Sequence, residues 1–159
     1  MIIPEARYKE ITRLMPIACV DLLVVNTARN VLLVKRNNSP AKEQWWFPGG
    51  RIWIGEERTT AAQRKLIEEC GLHAVDFDHV GTYDLMFKGS DNELMLHAVT
   101  SLYKVFIDVN GSVRLDDQSR EAKWLPVEEW LATSLHSFVH RRLVDFAQEQ
   151  PYADDPSNT

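Results

Sequence analysis

Two adjacent glutamates, Glu68 and Glu69, close a segment that opens with Pro48-Gly49-Gly50. Arg64 stands four residues before Glu68, Lys65 four before Glu69, and Glu56 lies upstream. Carboxylates and backbone carbonyls are hard oxygen ligands, the kind that suit magnesium, with manganese as the alternative. Glycines let backbone approach a ligand without side-chain obstruction. Magnesium often keeps some water and takes its remaining oxygens from substrate phosphates. Residues 48–72 therefore have the parts of a metal-diphosphate site. Periodicity alone also allows an ordinary charged helix carrying two ion pairs, Arg64 with Glu68 and Lys65 with Glu69.

Such a site needs a turn and a helix to hold it. Trp45-Trp46-Phe47 reads as a short strand that Pro48-Gly49-Gly50 breaks, and Ile52 to Ile54 as a further short strand. From Glu56 to Cys70 the pattern predicts a helix, with the Glu56 charge suited to its N-terminal dipole. Ala62, Leu66, Ile67 and Cys70 form its apolar stripe, and Gly71 stops it. Upstream, residues 4–14 have loose helical spacing behind Pro4. Residues 17–25 and 31–36 read as a hairpin. Asp21 interrupts the first of these strands. A carboxylate there is costly unless it is paired or faces a site, so an edge position and a ligand contact both remain open. Lys35-Arg36 close the second strand.

Downstream, residues 73–83 and 94–109 read as strands around a turn at 88–93. Asn110-Gly111 is a turn, and residues 114–121 a polar loop. A last strand ends at Lys123-Trp124-Leu125-Pro126. Helices follow from Pro126 and over residues 137–148, the latter with Phe138, Leu143, Val144 and Ala147 inward. Strands with one helix between them and helices at the end predict an α/β sandwich with a mixed sheet. Strict strand-helix alternation is missing, which argues against a doubly wound parallel sheet.

The 159 residues suit a single domain over 1–159, with a frayed tail at 150–159. A formal net charge of -5 argues against bulk nucleic-acid binding, which needs a basic face. Cys19 and Cys70 make no disulfide framework and read as reduced core residues. No stretch has the pattern of a signal peptide or of a membrane span, so a soluble, cytoplasmic protein is expected. The N-terminal helix (1–15) is expected to pack late or onto a partner chain, which makes a homodimer plausible. His73, His79, His136 and His140 have no ligand spacing. Trp45, Trp46 and Trp53 are expected to pack in the core rather than stack on a base.

Written from Gly50, the segment is five residues, Glu56, seven residues, Arg64, then Lys65-Leu66-Ile67-Glu68-Glu69-Cys70-Gly71-Leu72. It resembles the Nudix box, G-x5-E-x7-R-E-U-x-E-E-x-G-U, at every fixed position but one, where Lys65 replaces a glutamate. The resemblance implies a Nudix-type α/β/α sandwich and a divalent-metal hydrolase of a nucleoside diphosphate linked to another group.

A narrower resemblance runs through Asp21, Lys35-Arg36, Pro40-Ala41, the stretch from Trp45 to Arg51, and Asp116-Asp117-Gln118 before Lys123-Trp124-Leu125. These look like the GDP-mannose mannosyl hydrolase branch, whose box is itself degraded. That branch attacks the anomeric carbon of a GDP-hexose and releases GDP and the sugar with inversion. By position, the likeness implies magnesium held by a carbonyl of Gly49 or Gly50, by Glu69 and by Gln118, with the retained Glu68 a further candidate ligand. It implies that Arg36 and Arg51 hold the diphosphate and stabilise its leaving charge. Asp21 would face the sugar, and Ile2, Ile3 and Tyr8 would contact the nucleotide, possibly across a dimer.

Two residues depart from that branch. Ser119 stands where it has a histidine base, and serine is a poor base near neutral pH. Glu68 is a carboxylate that the branch tends to lose. Glu68, Glu121 and His97 are then the candidate bases, unless a metal-bound water needs little help. Two rival readings follow. One is a pyrophosphohydrolase that cleaves a P–O bond. The other is a nucleotide-sugar-binding protein without catalysis.

Overall fold

The computed structural model describes residues 2–108, 113–114 and 119–149. In order, its elements are α1 (Glu5–Leu14), β1 (Ile17–Asn26), β2 (Asn30–Arg36), β3 (Trp45–Trp46), β4 (Gly49–Arg51), α2 (Arg58–Cys70), β5 (Asp78–Lys88), β6 (Leu94–Ile107), β7 (Ser119–Pro126), α3 (Val127–Leu131) and α4 (Ser137–Gln148). The expected turn at Asn110-Gly111, the candidate ligand Gln118 and the tail at 150–159 lie outside the described residues.

The strands form one sheet in the order β3-β2-β1-β6-β5, with β4 also on β1 and β7 also on β2. The β1–β6 pair is parallel, from Ile17 opposite Ala98 to Asn26 opposite Ile107. All other pairs are antiparallel. The sheet is therefore mixed, as expected.

Its two faces carry separate cores. Leu23, Val25, Val31 and Leu33 pack with Val127, Trp130, Val139, Leu143 and Phe146 from α3 and α4. Val20, Leu22, Val24 and Leu32 pack with Ala61, Ala62, Leu66 and Cys70 of α2. Helices thus cover both faces, giving an α/β/α sandwich. Burial on both sides explains why β1 reads as a near-continuous apolar run rather than an alternating one. Among the described residues no helix is long and apolar enough to cross a membrane.

Several local expectations are corrected. The glycine pair does not merely end a strand. It forms β4, with Gly49 opposite Asp21 and Gly50 opposite Val20, and Ile52 to Ile54 form no strand. A Cβ on Gly49 would lie 2.2 Å from the Val20 carbonyl oxygen, so only glycine permits this approach. Helix α2 begins at Arg58 rather than Glu56, because Glu56 is drawn into a pair with Arg64.

Ile67 is exposed, and the buried face of α2 includes Lys65 and Glu69, which neutralise each other. At the helix end Gly71 is left-handed (φ 66°), and its N–H reaches the Ile67 carbonyl, as expected of a glycine stop. Strand β5 starts at Asp78 rather than at position 73 and runs on to Lys88, because pairing with β6 sets its limits. Strand β7 starts at Ser119, inside the expected loop, where β2 supplies its partner. In α4 Val139, Leu143 and Phe146 are buried and Phe138 packs against the same core as expected, while Ala147 is exposed.

Candidate active site

On the face covered by α3 and α4, the β1 row of Leu23 and Val25 continues to Asp21 and Cys19. There the row meets a cavity of about 830 Å³ rather than packed core. That volume lies within the usual range for small-molecule sites. The expected nucleotide contacts Ile2, Ile3 and Tyr8 line it, as do Asp21, Arg36 and Arg51. Gly49, Gly50 and Glu68 lie on its wall too, whereas Glu69 is buried off the cavity.

Two candidate bases lie elsewhere. His97 sits between Leu96 and Ala98, which line the cavity, and pairs with Asp84 at 3.1 Å. Alternation along β6 turns it to the other face. Glu121 stands opposite Lys35 on β7 and pairs with Lys123 at 3.1 Å. Among the described residues, Asp21 and Glu68 are the carboxylates on the cavity wall.

Arg64 organises the loop beside the cavity. Its Nε and Nη2 donate to the two Glu56 oxygens at 2.7 and 2.8 Å. Nη2 also donates to the Arg51 carbonyl at 3.0 Å, and Nη1 to Glu68 at 3.1 Å. The guanidinium lies 3.8 Å from the centre of the Trp53 ring. Glu56 in turn accepts the Trp53 N–H at 2.9 Å. Hydrogen bonds from Arg64 hold the Glu56 carboxyl below its usual range.

One side chain thus ties residues 51, 53, 56 and 68 together. Arg64→Ala is expected to cost about 2 kcal/mol in urea unfolding, because it removes at once the bonds to Glu56, Glu68 and the Arg51 carbonyl. Arg64→Lys should recover little of that, since an ammonium cannot make the bidentate pair. A loss no larger than that of a surface ion pair would contradict this role.

Asp21 is buried, and it accepts hydrogen bonds from the Thr100 hydroxyl (2.8 Å) and the Trp46 indole (3.3 Å). Burial raises its pKa to about 6, although Thr100, Arg36 and Trp46 pull the other way. Cys19 shares the cavity, and burial, helped by Asp21, pushes its thiol up to about 12. It is therefore an inert thiol near neutral pH. Burial also raises the Tyr8 phenol, whose ring lies 5.8 Å from the Arg51 guanidinium carbon. Arg36 donates through Nε to the Pro40 carbonyl at 3.1 Å, which fixes it against the loop after β2.

Sequence reasoning missed Thr100 and Trp46 as the partners of Asp21. It also missed the wall formed by Leu85, Phe87, Leu96 and Ala98. A period of two along β5 and β6 is the signal that could have found that wall. Trp46 is buried in the core as expected, and Trp45 packs against it, its ring 5.0 Å from that of Trp130. Trp53 instead lies on the cavity wall under Arg64.

The carboxylates expected to hold a metal are already engaged. Glu69 accepts the Gly49 N–H at 3.1 Å through one oxygen and pairs with the Lys65 ammonium at 2.8 Å through the other. Lys65 is also 3.7 Å from Glu68. Among the described residues no group of three or more His, Cys, Asp or Glu side chains is arranged to hold a metal ion. Glu56, Glu68 and Glu69 against Arg64 and Lys65 leave one net negative charge, where a glutamate at position 65 would leave three. With Lys65 in place, the described part of this donor set does not fit a divalent cation.

Residues 15–146 match the NUDIX domain. The low-salt glycan biosynthesis protein Agl8 of Haloferax volcanii is 31% identical over 143 residues, covering 89% of this chain and 88% of that protein. Nudix hydrolase 16, mitochondrial, of Arabidopsis thaliana is 23% identical over 153 residues, covering 89% and 83%. Among solved structures, the MutT protein of Methanosarcina mazei Go1 superposes with a TM-score of 0.72 at 22% identity, over 84% of this chain and 95% of that one. The NUDIX domain of Shewanella oneidensis NrtR, complexed with ADP ribose, gives 0.69 at 23% identity, over 92% and 98%. At these identities the two structures speak for the fold.

Proposed function

The chain belongs to the NUDIX domain family, and from that premise we propose that it hydrolyses a nucleoside-diphosphate sugar, a GDP-hexose such as GDP-mannose first among them, to the nucleoside diphosphate and the free sugar. The observation that carries this reading is that Arg36, Arg51 and a buried carboxylate, Asp21, line one cavity. Fixed guanidinium groups suit a diphosphate, and a buried acceptor among apolar walls suits a sugar hydroxyl. The relatives agree in kind. One acts in glycan biosynthesis, and one neighbour holds ADP ribose, itself a nucleoside diphosphate joined to a sugar.

In this reading water attacks the anomeric carbon as the bond from that carbon to the diphosphate oxygen breaks. The diphosphate leaves with the electron pair, and Arg36 and Arg51 meet its charge. Asp21 accepts a sugar hydroxyl and offsets the positive charge that grows at the carbon. Glu68, half-exposed at the cavity and braced by Arg64, takes the proton from water. Position 119, where the resembling branch has its histidine, pairs with Arg36 in the sheet.

Nudix hydrolases generally use a divalent cation such as magnesium. By the resemblance its ligands would be a carbonyl of Gly49 or Gly50, the carboxylates of Glu68 and Glu69, and Gln118, but in this chain Lys65 engages Glu69. The chain acts as one domain and pairs as a homodimer through α1, a helix none of whose residues is buried within the chain.

The retained Glu68 favours one second reading, a pyrophosphohydrolase that attacks phosphorus. Incubation with GDP-mannose, ADP-ribose and related nucleotide sugars, with and without magnesium, separates the two by chromatography. GDP and free hexose are expected. GMP and a hexose phosphate would favour the second reading, and binding without turnover would overturn both.

A further inference from the structure

Lys65 stands where the box carries a glutamate, and its surroundings are those of a held cation. The residue is only 4% exposed. Its ammonium lies 2.8 Å from Glu69 and 3.7 Å from Glu68. Its stem runs against the glycine turn so closely that a Cβ on Gly50 would lie 2.8 Å from Cε. Yet it reaches the cavity wall beside Gly50, Arg51 and Arg64.

We propose that Lys65 is a built-in cation, set between the glycine turn and the carboxylate pair to meet the substrate diphosphate directly, so that nucleotide binding needs no divalent metal. The inference rests on the reading of the cavity as a nucleoside-diphosphate site.

The arrangement differs from that of an ordinary surface pair. A solvated lysine on a helix face is free to swing, and its pair is worth little. Here the stem is enclosed by Gly50, and the partner carboxylate is fixed at its other oxygen by the Gly49 N–H. The ammonium is therefore positioned by the same turn that brings backbone to the cavity. A lysine carries three donors and no acceptor, so Glu69 leaves it able to donate to a phosphate oxygen. Lysine serves as such a point charge in phosphate sites generally. It joins Arg36, Arg51 and Arg64 among the cations that line the cavity.

The test uses the full chain and GDP as probe. Calorimetric titration of GDP is compared in EDTA and in magnesium for the native protein and for Lys65→Gln. Manganese binding is followed by electron paramagnetic resonance for these and for Lys65→Glu. Circular dichroism establishes that each variant is folded.

The native protein is expected to bind GDP with the same affinity in both media and to hold no manganese in the absence of nucleotide. Lys65→Gln should bind GDP about tenfold more weakly in EDTA, the loss of one charge-assisted hydrogen bond. Lys65→Glu should gain a bound-manganese signal, and its melting temperature should rise with manganese.

GDP binding that the native protein loses in EDTA would overturn the inference and leave the diphosphate reading standing. An unchanged affinity in Lys65→Gln, whatever its melting temperature, would reduce Lys65 to a structural ion pair and overturn the inference. Failure of GDP to bind in either medium would overturn the reading of the cavity itself, and the inference with it.

Discussion

Replacement of Asp21 by asparagine is expected to stabilise the fold by about 3 kcal/mol near pH 7 while abolishing most of the turnover. The usual carboxyl value is 3.8, and burial raises it to about 6 in the folded chain. A raised value means that folding favours the protonated form. Below the unfolded value both states are protonated, and Asp21 costs nothing. As pH rises toward 6 the unfolded chain ionises first, and stability is lost progressively. Above 6 the cost is complete, at about 1.4 kcal/mol for each unit of difference.

Asparagine escapes this cost and keeps its partners. Its oxygen can accept the Trp46 indole N–H, and its amide can donate to the Thr100 hydroxyl, which is able to reverse its role. The check is urea unfolding of native protein and variant across this range. Their difference should be near zero at the acid end and grow to its full size by neutrality. A difference that does not change with pH would contradict the account. Using the difference between the two chains removes the opposing contribution of Glu56, whose value is lowered. The variant's kcat on the nucleotide sugar should fall about a hundredfold, because a neutral amide offsets less of the charge at the anomeric carbon.

Truncation of Arg36 or Arg51 is expected to have the largest effect on rate. Arg36→Ala and Arg51→Ala should each lower kcat by about a hundredfold to a thousandfold, the range seen when one group that stabilises developing charge is removed. Lysine at either position should restore little, since it is a point charge without the planar fork. Arg36→Ala should also loosen residues 37–44, because it loses the bond to the Pro40 carbonyl. Arg51 contributes its side chain to the cavity and its carbonyl to Arg64, so alanine removes the first and keeps the second. Steady-state kinetics with GDP-mannose measures both variants. A loss of less than about tenfold in each would contradict the assignment of the leaving diphosphate to this side of the cavity.

What could be read from the sequence was local. The glycine stop at Gly71, the proline before α3 and the limits of α4 depend on neighbours in the chain, and they fall where the pattern places them. The pairs Arg64–Glu68 and Lys65–Glu69 follow from helical spacing and are present. Nothing local shows that the second pair is buried, because Gly50 encloses Lys65 across fifteen positions of chain.

The role of Glu56 was misread for a related reason. A charge near a helix start suits the dipole, but the bidentate partner offered by Arg64 draws it out of the helix. Thr100 was invisible because the parallel β1–β6 pairing that brings it to Asp21 joins positions 79 apart. The cavity arginines and Asp21 were found through the family resemblance, since strand ends rich in charge are commonly just solvated.

The position of the bond that breaks is the claim on which the proposed chemistry stands. Turnover of GDP-mannose in oxygen-18 water, with both products analysed by mass spectrometry, reads it directly. The account predicts one labelled oxygen in the hexose and none in the GDP. Label on a phosphorus, in GMP or in a hexose phosphate, would contradict it.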